Sequence, residues 1–229
     1  MGRRRQLLFD IGAKLPRSIV RSALAVTSSL EMGHWLTDQG FQCKRFYRDK
    51  AELFAAIAQQ VSSKRALYLE FGVYSGDSMR IWSKLLKDPR SVLHGFDSFL
   101  GLPEYFECDD GYQKGAFSTG GVMPQIDDPR VKFFKGWFDE VLPSYSPPEH
   151  EVMIVNDDAD LYSSTMLVLN KLQPTFRPGD YLYFDEFSIP LHEASAFRSF
   201  LERTGMKFRL FGAARGYSCA AFRCERIKD

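Results

Sequence analysis

The amino-acid sequence predicts an α/β fold: a Rossmann-like, mostly parallel seven-stranded sheet with an antiparallel C-terminal hairpin, preceded by N-terminal helices. Three observations carry this reading. Short apolar runs recur at Ala66–Phe71, Val92–Phe96, Val131–Phe134, Val152–Val155 and Tyr181–Phe184, and such continuous runs suit strands covered on both faces. Between them, Ser78–Lys87, Ser163–Leu172 and His192–Arg203 carry helical spacing. At the end, Lys207–Phe211 and Tyr217–Arg223 flank the glycine-bounded turn Gly212-Ala213-Ala214-Arg215-Gly216, the pattern of a hairpin.

The N-terminal part reads differently. Ala51, Leu53, Phe54, Ile57, Ala58 and Val61 repeat at helical intervals after Asp49, so residues 1–64 form a helical extension and residues 65–229 the α/β domain. A chain of 229 residues, 45% of them hydrophobic, suits one such domain with an appendage and excludes wholesale disorder. Arg3-Arg4-Arg5 precedes Leu7-Leu8-Phe9, but Asp10, Lys14, Pro16 and Arg17 break any signal-peptide apolar core. A basic amphipathic helix can touch an anionic membrane surface weakly. Packing on the domain or on a second copy is the preferred reading, which makes a homo-oligomer the expectation.

Several classes are set aside. The net charge of +1 leaves no basic stripe for nucleic acid. No apolar run approaches the roughly 20 residues that span a bilayer. Cys43, Cys108, Cys219 and Cys224 form no Cys-x-x-Cys pair, against a zinc site or a disulfide framework and in favour of a reducing, cytoplasmic setting. The stretch Gly101–Arg130, rich in Gly, Pro and Asp, has little periodicity and reads as a lid or substrate loop.

The segment Glu70-Phe71-Gly72-Val73-Tyr74-Ser75-Gly76-Asp77-Ser78 joins the first apolar run to its helix. Its glycines permit a tight turn and close approach of a ligand. The spacing is Gly-x-x-x-Gly, not the Gly-x-Gly-x-x-Gly of dinucleotide binding. S-adenosylmethionine lacks a pyrophosphate and carries an amino acid and a sulfonium, so an acid such as Glu70 suits it. Glu70, Gly72, Val73, Tyr74, Ser75, Gly76 and Ser78 are therefore candidate cofactor residues. Asp97 in Gly95-Phe96-Asp97-Ser98 lies 21 residues after Gly76, near the spacing at which an acid takes ribose hydroxyls, with Ser98 beside it. Gly136 and Trp137 follow the third run and suit an adenine pocket.

Two acidic strand ends complete the pattern. Asn156-Asp157-Asp158-Ala159-Asp160 follows Val152–Val155, and Asp185-Glu186 follows Tyr181–Phe184. Open α/β sheets place their sites at such C-terminal ends. Carboxylates gathered there repel unless a cation or protons intervene, so a Mg²⁺ ion on Asp158, Asp185 and Glu186 is expected, with Asp160 read as a helix cap. Asp158 also borders the cofactor.

These motifs, in this order from Ala66 to Phe187, resemble the macrocin O-methyltransferase family, and the terminal hairpin fits the class I methyltransferase layout. The resemblance carries Gly95-Phe96-Asp97-Ser98-Phe99, Gly101-Leu102-Pro103-Glu104, Lys135-Gly136-Trp137-Phe138, Asp158-Ala159-Asp160-Leu161-Tyr162 and Pro178-Gly179-Asp180. It implies S-adenosylmethionine as donor, Mg²⁺, oligomeric assembly, and a sugar or natural-product hydroxyl as acceptor. Two departures stand out: Asn156-Asp157 where the family commonly has His-Ile, and Asp185-Glu186 where it often has two Asp. Known members can use a lid histidine as base; this lid has none, which leaves His192 or Asp158 as the expected base. The alternatives are a non-catalytic S-adenosylmethionine-binding or assembly protein on the same fold and, less favoured, a dinucleotide-dependent oxidoreductase.

Overall fold

The computed structural model describes residues 2–106 and 111–225; Cys108 lies outside them. The chain forms two compact units, Met1–Phe41 and Gln42–Asp229.

The first unit holds two helices, α1 (Gly2–Gly12) and α2 (Arg17–Asp38). Pro16 precedes α2, where its missing N–H costs nothing. The far end closes through Gly40 at φ 71, which lets Phe41 N donate to Leu36 O and Gly40 N to Thr37 O. Phe41 meets Trp35 edge to face at 5.6 Å.

The second unit begins with β1 (Phe46–Tyr47) and α3 (Lys50–Gln60). Asp49 caps α3 by accepting from Glu52 N at 3.0 Å. There follow β2 (Ala66–Phe71), α4 (Asp77–Leu85), β3 (Val92–Asp97), β4 (Val131–Lys135), α5 (Phe138–Val141), β5 (Val152–Asp157), α6 (Tyr162–Leu172), β6 (Tyr181–Phe184), α7 (Glu193–Thr204), β7 (Phe208–Ala214) and β8 (Cys219–Cys224). Among the described residues the sheet has eight strands in the order β1-β7-β8-β6-β5-β2-β3-β4. These are the seven expected plus the two-residue β1, too short to show a pattern. Only β8 runs antiparallel to its neighbours. Helix α3, which falls inside the expected 1–64 extension, buries Leu53, Phe54, Ile57 and Ala58 in the core of this second unit.

Strands β2, β5 and β6 are buried at every residue, as their apolar runs require. Edge strand β4 is not: Lys132 and Lys135 are exposed, and Val131, Phe133 and Phe134 are partly buried. Under one face, Trp82 of α4 stacks on Tyr68 at 5.0 Å and touches Phe54 at 5.1 Å. Beneath the other, Phe184, Phe187, Phe197 and Phe222 form a second aromatic cluster. No helix among the described residues is long and apolar enough to cross a membrane.

Trp82 is fully buried, so Trp82→Ala is expected to cost ~3–5 kcal/mol, read from the midpoint of urea unfolding. A loss below ~1 kcal/mol would show that the Phe54–Trp82–Tyr68 stack does not hold α3 and α4 to the sheet.

Candidate functional site

The C-terminal ends of the parallel strands open onto one cleft of about 740 Å³. Its first wall is the loop after β2. Gly72 sits at φ +88, and a Cβ there would lie 1.8 Å from the Asp158 carbonyl oxygen. Only glycine lets the turn after β2 pass so close to the turn after β5. Gly76 at φ +81 starts α4, and its hydrogen faces Pro124 from the long loop. It is a turn residue and does not line the cleft, unlike Glu70, Gly72, Val73, Tyr74, Ser75 and Ser78.

Asp97, the last residue of β3, holds this loop. Its Oδ2 accepts from Val73 N and Tyr74 N, both at 2.8 Å, and its Oδ1 from Phe99 N at 2.6 Å. Of the two carboxylate oxygens Oδ1, with a single donor, keeps further acceptor capacity, and Asp97 faces the cleft beside Ser98. Across the opening stand Gly136, Trp137 and Phe138. Gly136 N donates to Asp97 O at 3.0 Å, which joins the third wall to the second.

Glu70 is buried at the floor. Tyr68 Oη donates to Glu70 Oε2 at 2.9 Å, and Asn156 Nδ2 donates to Tyr68 Oη at 3.1 Å. Glu70 and Asn156 are cross-strand partners, so Asn156, one of the departures from the family pattern, anchors this buried chain. Burial pushes the Glu70 carboxyl up to about 8, against the pull of the Tyr68 hydroxyl.

Asp158, Asp160, Asp185 and Glu186 share the opposite wall. Burial, reinforced by neighbouring carboxylates, raises Asp158 and brings Asp160 to about 7. Contrary to the sequence expectation, Asp160 does not cap α6: Leu161 holds that position without a side-chain cap. Asp160 instead adopts φ 60 and turns to the cleft, a strained backbone of the kind found at functional sites. The signal available in the sequence was Asp-x-Asp at a strand end, and both acids face the cleft.

The expected Mg²⁺ fits poorly here. Among the described residues no three His, Cys, Asp or Glu groups are placed to hold one metal ion. Asp185 Oδ1 already takes the Tyr183 hydroxyl at 2.5 Å, and Lys50 Nζ stands 3.4 Å from both Asp185 oxygens. Lys50 also lines the cleft; no motif in the sequence pointed to it. His192 does not line it. This histidine is buried at the N-terminus of α7 with its ring 4.6 Å from Phe106, so the base cannot be assigned to it from position.

The loop expected as a lid closes part of the cleft through Gly101, Leu102, Pro103, Glu104, Lys114 and Phe117. It is latched to α6 by Ser163 Oγ, which donates to Glu104 Oε1 at 2.6 Å. The exposed rings of Tyr74 and Phe117 meet edge to face at 6.1 Å.

Comparison with known proteins fits this geometry. The profile of the family described as Macrocin-O-methyltransferase (TylF) matches residues 55–211. Mycinamicin III 3''-O-methyltransferase of Micromonospora griseorubida is 28% identical over 123 residues, 52% of this chain and 44% of that protein. The 8-demethyl-8-(2,3-dimethoxy-alpha-L-rhamnosyl)-tetracenomycin-C 4'-O-methyltransferase of Streptomyces olivaceus is 36% identical over 139 residues, 53% of this chain and 52% of that one. The chain thus spans about half the length of the curated relatives it matches. Among solved structures, the O-methyltransferase NovP superposes with a TM-score of 0.62 at 21% identity, covering 77% of this chain and 80% of that one. CalS11, a calicheamicin methyltransferase, gives 0.59 at 23% identity over 76% and 78%. At these identities the likeness is one of fold.

Two predictions follow from the floor and the first wall. Gly72→Ala is expected to lose ~2 kcal/mol or more, because the clash is with backbone; Gly205→Ala, at φ +67 with nothing within 4 Å, is the milder control in thermal unfolding. For Glu70 the native state binds the proton more tightly than the unfolded chain. Its stabilising contribution is therefore complete below the ordinary carboxyl pKa of 4.5 and is lost as pH rises through about 8. Urea titrations from acid to alkaline pH should show a shallower decline for Glu70→Gln than for the wild type; parallel curves would refute the assignment.

Proposed function

The chain belongs to the macrocin-O-methyltransferase family, and we propose that it transfers a methyl group from S-adenosylmethionine to a hydroxyl of a sugar or sugar-bearing natural product. The observation that carries this reading is the Asp97-tethered loop, which opens onto the same cleft as Asp158 and Asp160. The acceptor class comes from the relatives, one named for 3''-O-methylation of mycinamicin III and the other for 4'-O-methylation of a rhamnosyl-bearing tetracenomycin.

The site's residues suit that donor. Gly72 keeps the loop free of side chain where backbone crowds it, Asp97 Oδ1 has acceptor capacity left for a ribose hydroxyl, and Gly136-Trp137 borders the space beyond. Glu70, held near neutrality by burial, can give up its proton to face a ligand ammonium. When bound, S-adenosylmethionine supplies a methyl group made electrophilic by its sulfonium. The chain's own task is to align the acceptor and take its proton. Asp160 serves as that proton acceptor, since it lines the cleft from a strained turn and its carboxylate makes no hydrogen bond among the described residues. The acceptor O–H bond would break toward Asp160 as the new O–C bond forms and the donor's S–CH3 bond breaks, its electron pair staying on the sulfur of the departing S-adenosylhomocysteine. Because Asp185 is engaged by Lys50 and Tyr183, charge and proton handling fall to side chains. Tyr74 and Phe117 offer an aromatic edge for the acceptor. Homo-oligomeric assembly belongs to the same reading, supported by the exposed apolar side chains of Leu7, Leu8, Phe9, Leu24 and Leu30.

The test is label transfer from methyl-labelled S-adenosylmethionine to a panel of glycosides. Wild-type protein should label a hydroxyl, and Asp160→Asn should lower kcat ~100-fold or more while S-adenosylhomocysteine affinity stays within about threefold. Cofactor binding with no transfer to any hydroxyl would support the non-catalytic alternative.

A further inference from the structure

We propose that Lys50 Nζ is a built-in cation that occupies the charge position of a divalent metal at the strand ends, so that this chain holds its acidic wall together without Mg²⁺.

The fold delivers Lys50 there by a specific route. Strand β1 pairs parallel with β7, Phe46 opposite Ala213 and Tyr47 opposite Ala214, so its C-terminal end points to the same edge as those of β2, β5 and β6. Three residues later Lys50 opens α3. A cation in the first turn of a helix is opposed by the helix dipole, so its placement needs another source of stabilisation. That source is Asp185, whose two oxygens each lie 3.4 Å from Nζ. Both side chains are largely withdrawn from water, at 34% and 18% exposure, which strengthens their attraction relative to a surface pair. Burial works to neutralise the lysine, but the Asp185 and Asp158 carboxylates outweigh it and hold the ammonium charged.

The second acid of the pair has cations of its own. Burial and Asp185 raise Glu186, while the positive charges of Arg215 and Lys50 act in the opposite direction. A divalent ion entering here would meet two protein cations and an Asp185 oxygen that already takes the Tyr183 hydroxyl and the Cys219 thiol. An ammonium brings three N–H donors and one charge. On the reading of this cleft as a methyl-transfer site, those donors can also face the acceptor oxygen.

The experiment is a calorimetric titration with Mg²⁺ alone, on wild type, Lys50→Met and Lys50→Gln, with circular dichroism to confirm folding. Wild type should bind no Mg²⁺ at millimolar concentration. Removing the ammonium leaves the acids facing one another, so the variants should gain at least about tenfold in Mg²⁺ affinity. Mg²⁺ bound by wild type as tightly as by the variants, or by none of the three, overturns the proposal. If neither variant folds, that loss itself shows that the acidic wall needs the Lys50 ammonium, and Mg²⁺ binding by wild type at millimolar concentration still refutes the proposal. The titration contains neither cofactor nor acceptor, so failure of methyl transfer and failure of the lysine assignment are read separately.

Discussion

The Asp97 carboxylate is the interaction on which the site depends. It ends β3 and reaches across to take the backbone N–H groups of Val73 and Tyr74, which belong to the turn after β2. Gly72 N, one residue earlier, donates to Phe96 O at 3.0 Å, so three consecutive N–H groups of one loop are held by the neighbouring strand. Hydrogen bonds to an ionised acceptor are about twice as strong as neutral ones. The loop therefore cannot relax along its own strand axis. Its fixed course puts Gly72 against the Asp158 carbonyl, starts α4 at Gly76, and leaves a cleft between the ends of β2, β3 and β5. The carboxylate that anchors the loop also faces the cleft.

A second constraint is charge. The floor and far wall bring Glu70, Asp158, Asp160, Asp185 and Glu186 around one space. Such an assembly survives folding only by protonation or by compensating cations. Both devices are present: burial keeps Glu70 near neutral, and Lys50 sits against Asp185. The family resemblance pointed to a third device, a metal ion. The side chains of this chain favour the first two, because the Asp185 oxygens are already committed to Lys50, Tyr183 and Cys219.

Much of this was legible in the sequence because the sheet interior obeys one rule. Runs buried on both faces must be apolar throughout, so Ala66–Phe71 and Tyr181–Phe184 matched β2 and β6 residue for residue. Strand ends that carry polar residues were cut short: β5 extends through Asn156 and Asp157, which the apolar run excluded. Strand β1, two residues long, has no periodicity to read. The cofactor wall was legible because glycine spacing and an acid at a strand end are local signals. Lys50 was not, since its partner lies 135 residues away and only the pairing of β1 with β7 brings them together. Asp160 was misjudged as a cap because Asp before a helix is usually one; its left-handed backbone turns it to the cleft instead. His192, attractive by position after the fifth run, is buried against Phe106 by the packing of α7.

The central claim is that an S-adenosyl ligand is held by the loop that Asp97 ties down. Calorimetric titration of S-adenosylhomocysteine into wild type and Asp97→Ala tests it most directly. The account predicts one-to-one binding by the wild type and a loss of about tenfold or more in the variant, which forfeits a ribose acceptor as well as the loop anchor. Absence of binding in the wild type, or equal affinity in the two proteins, would contradict it.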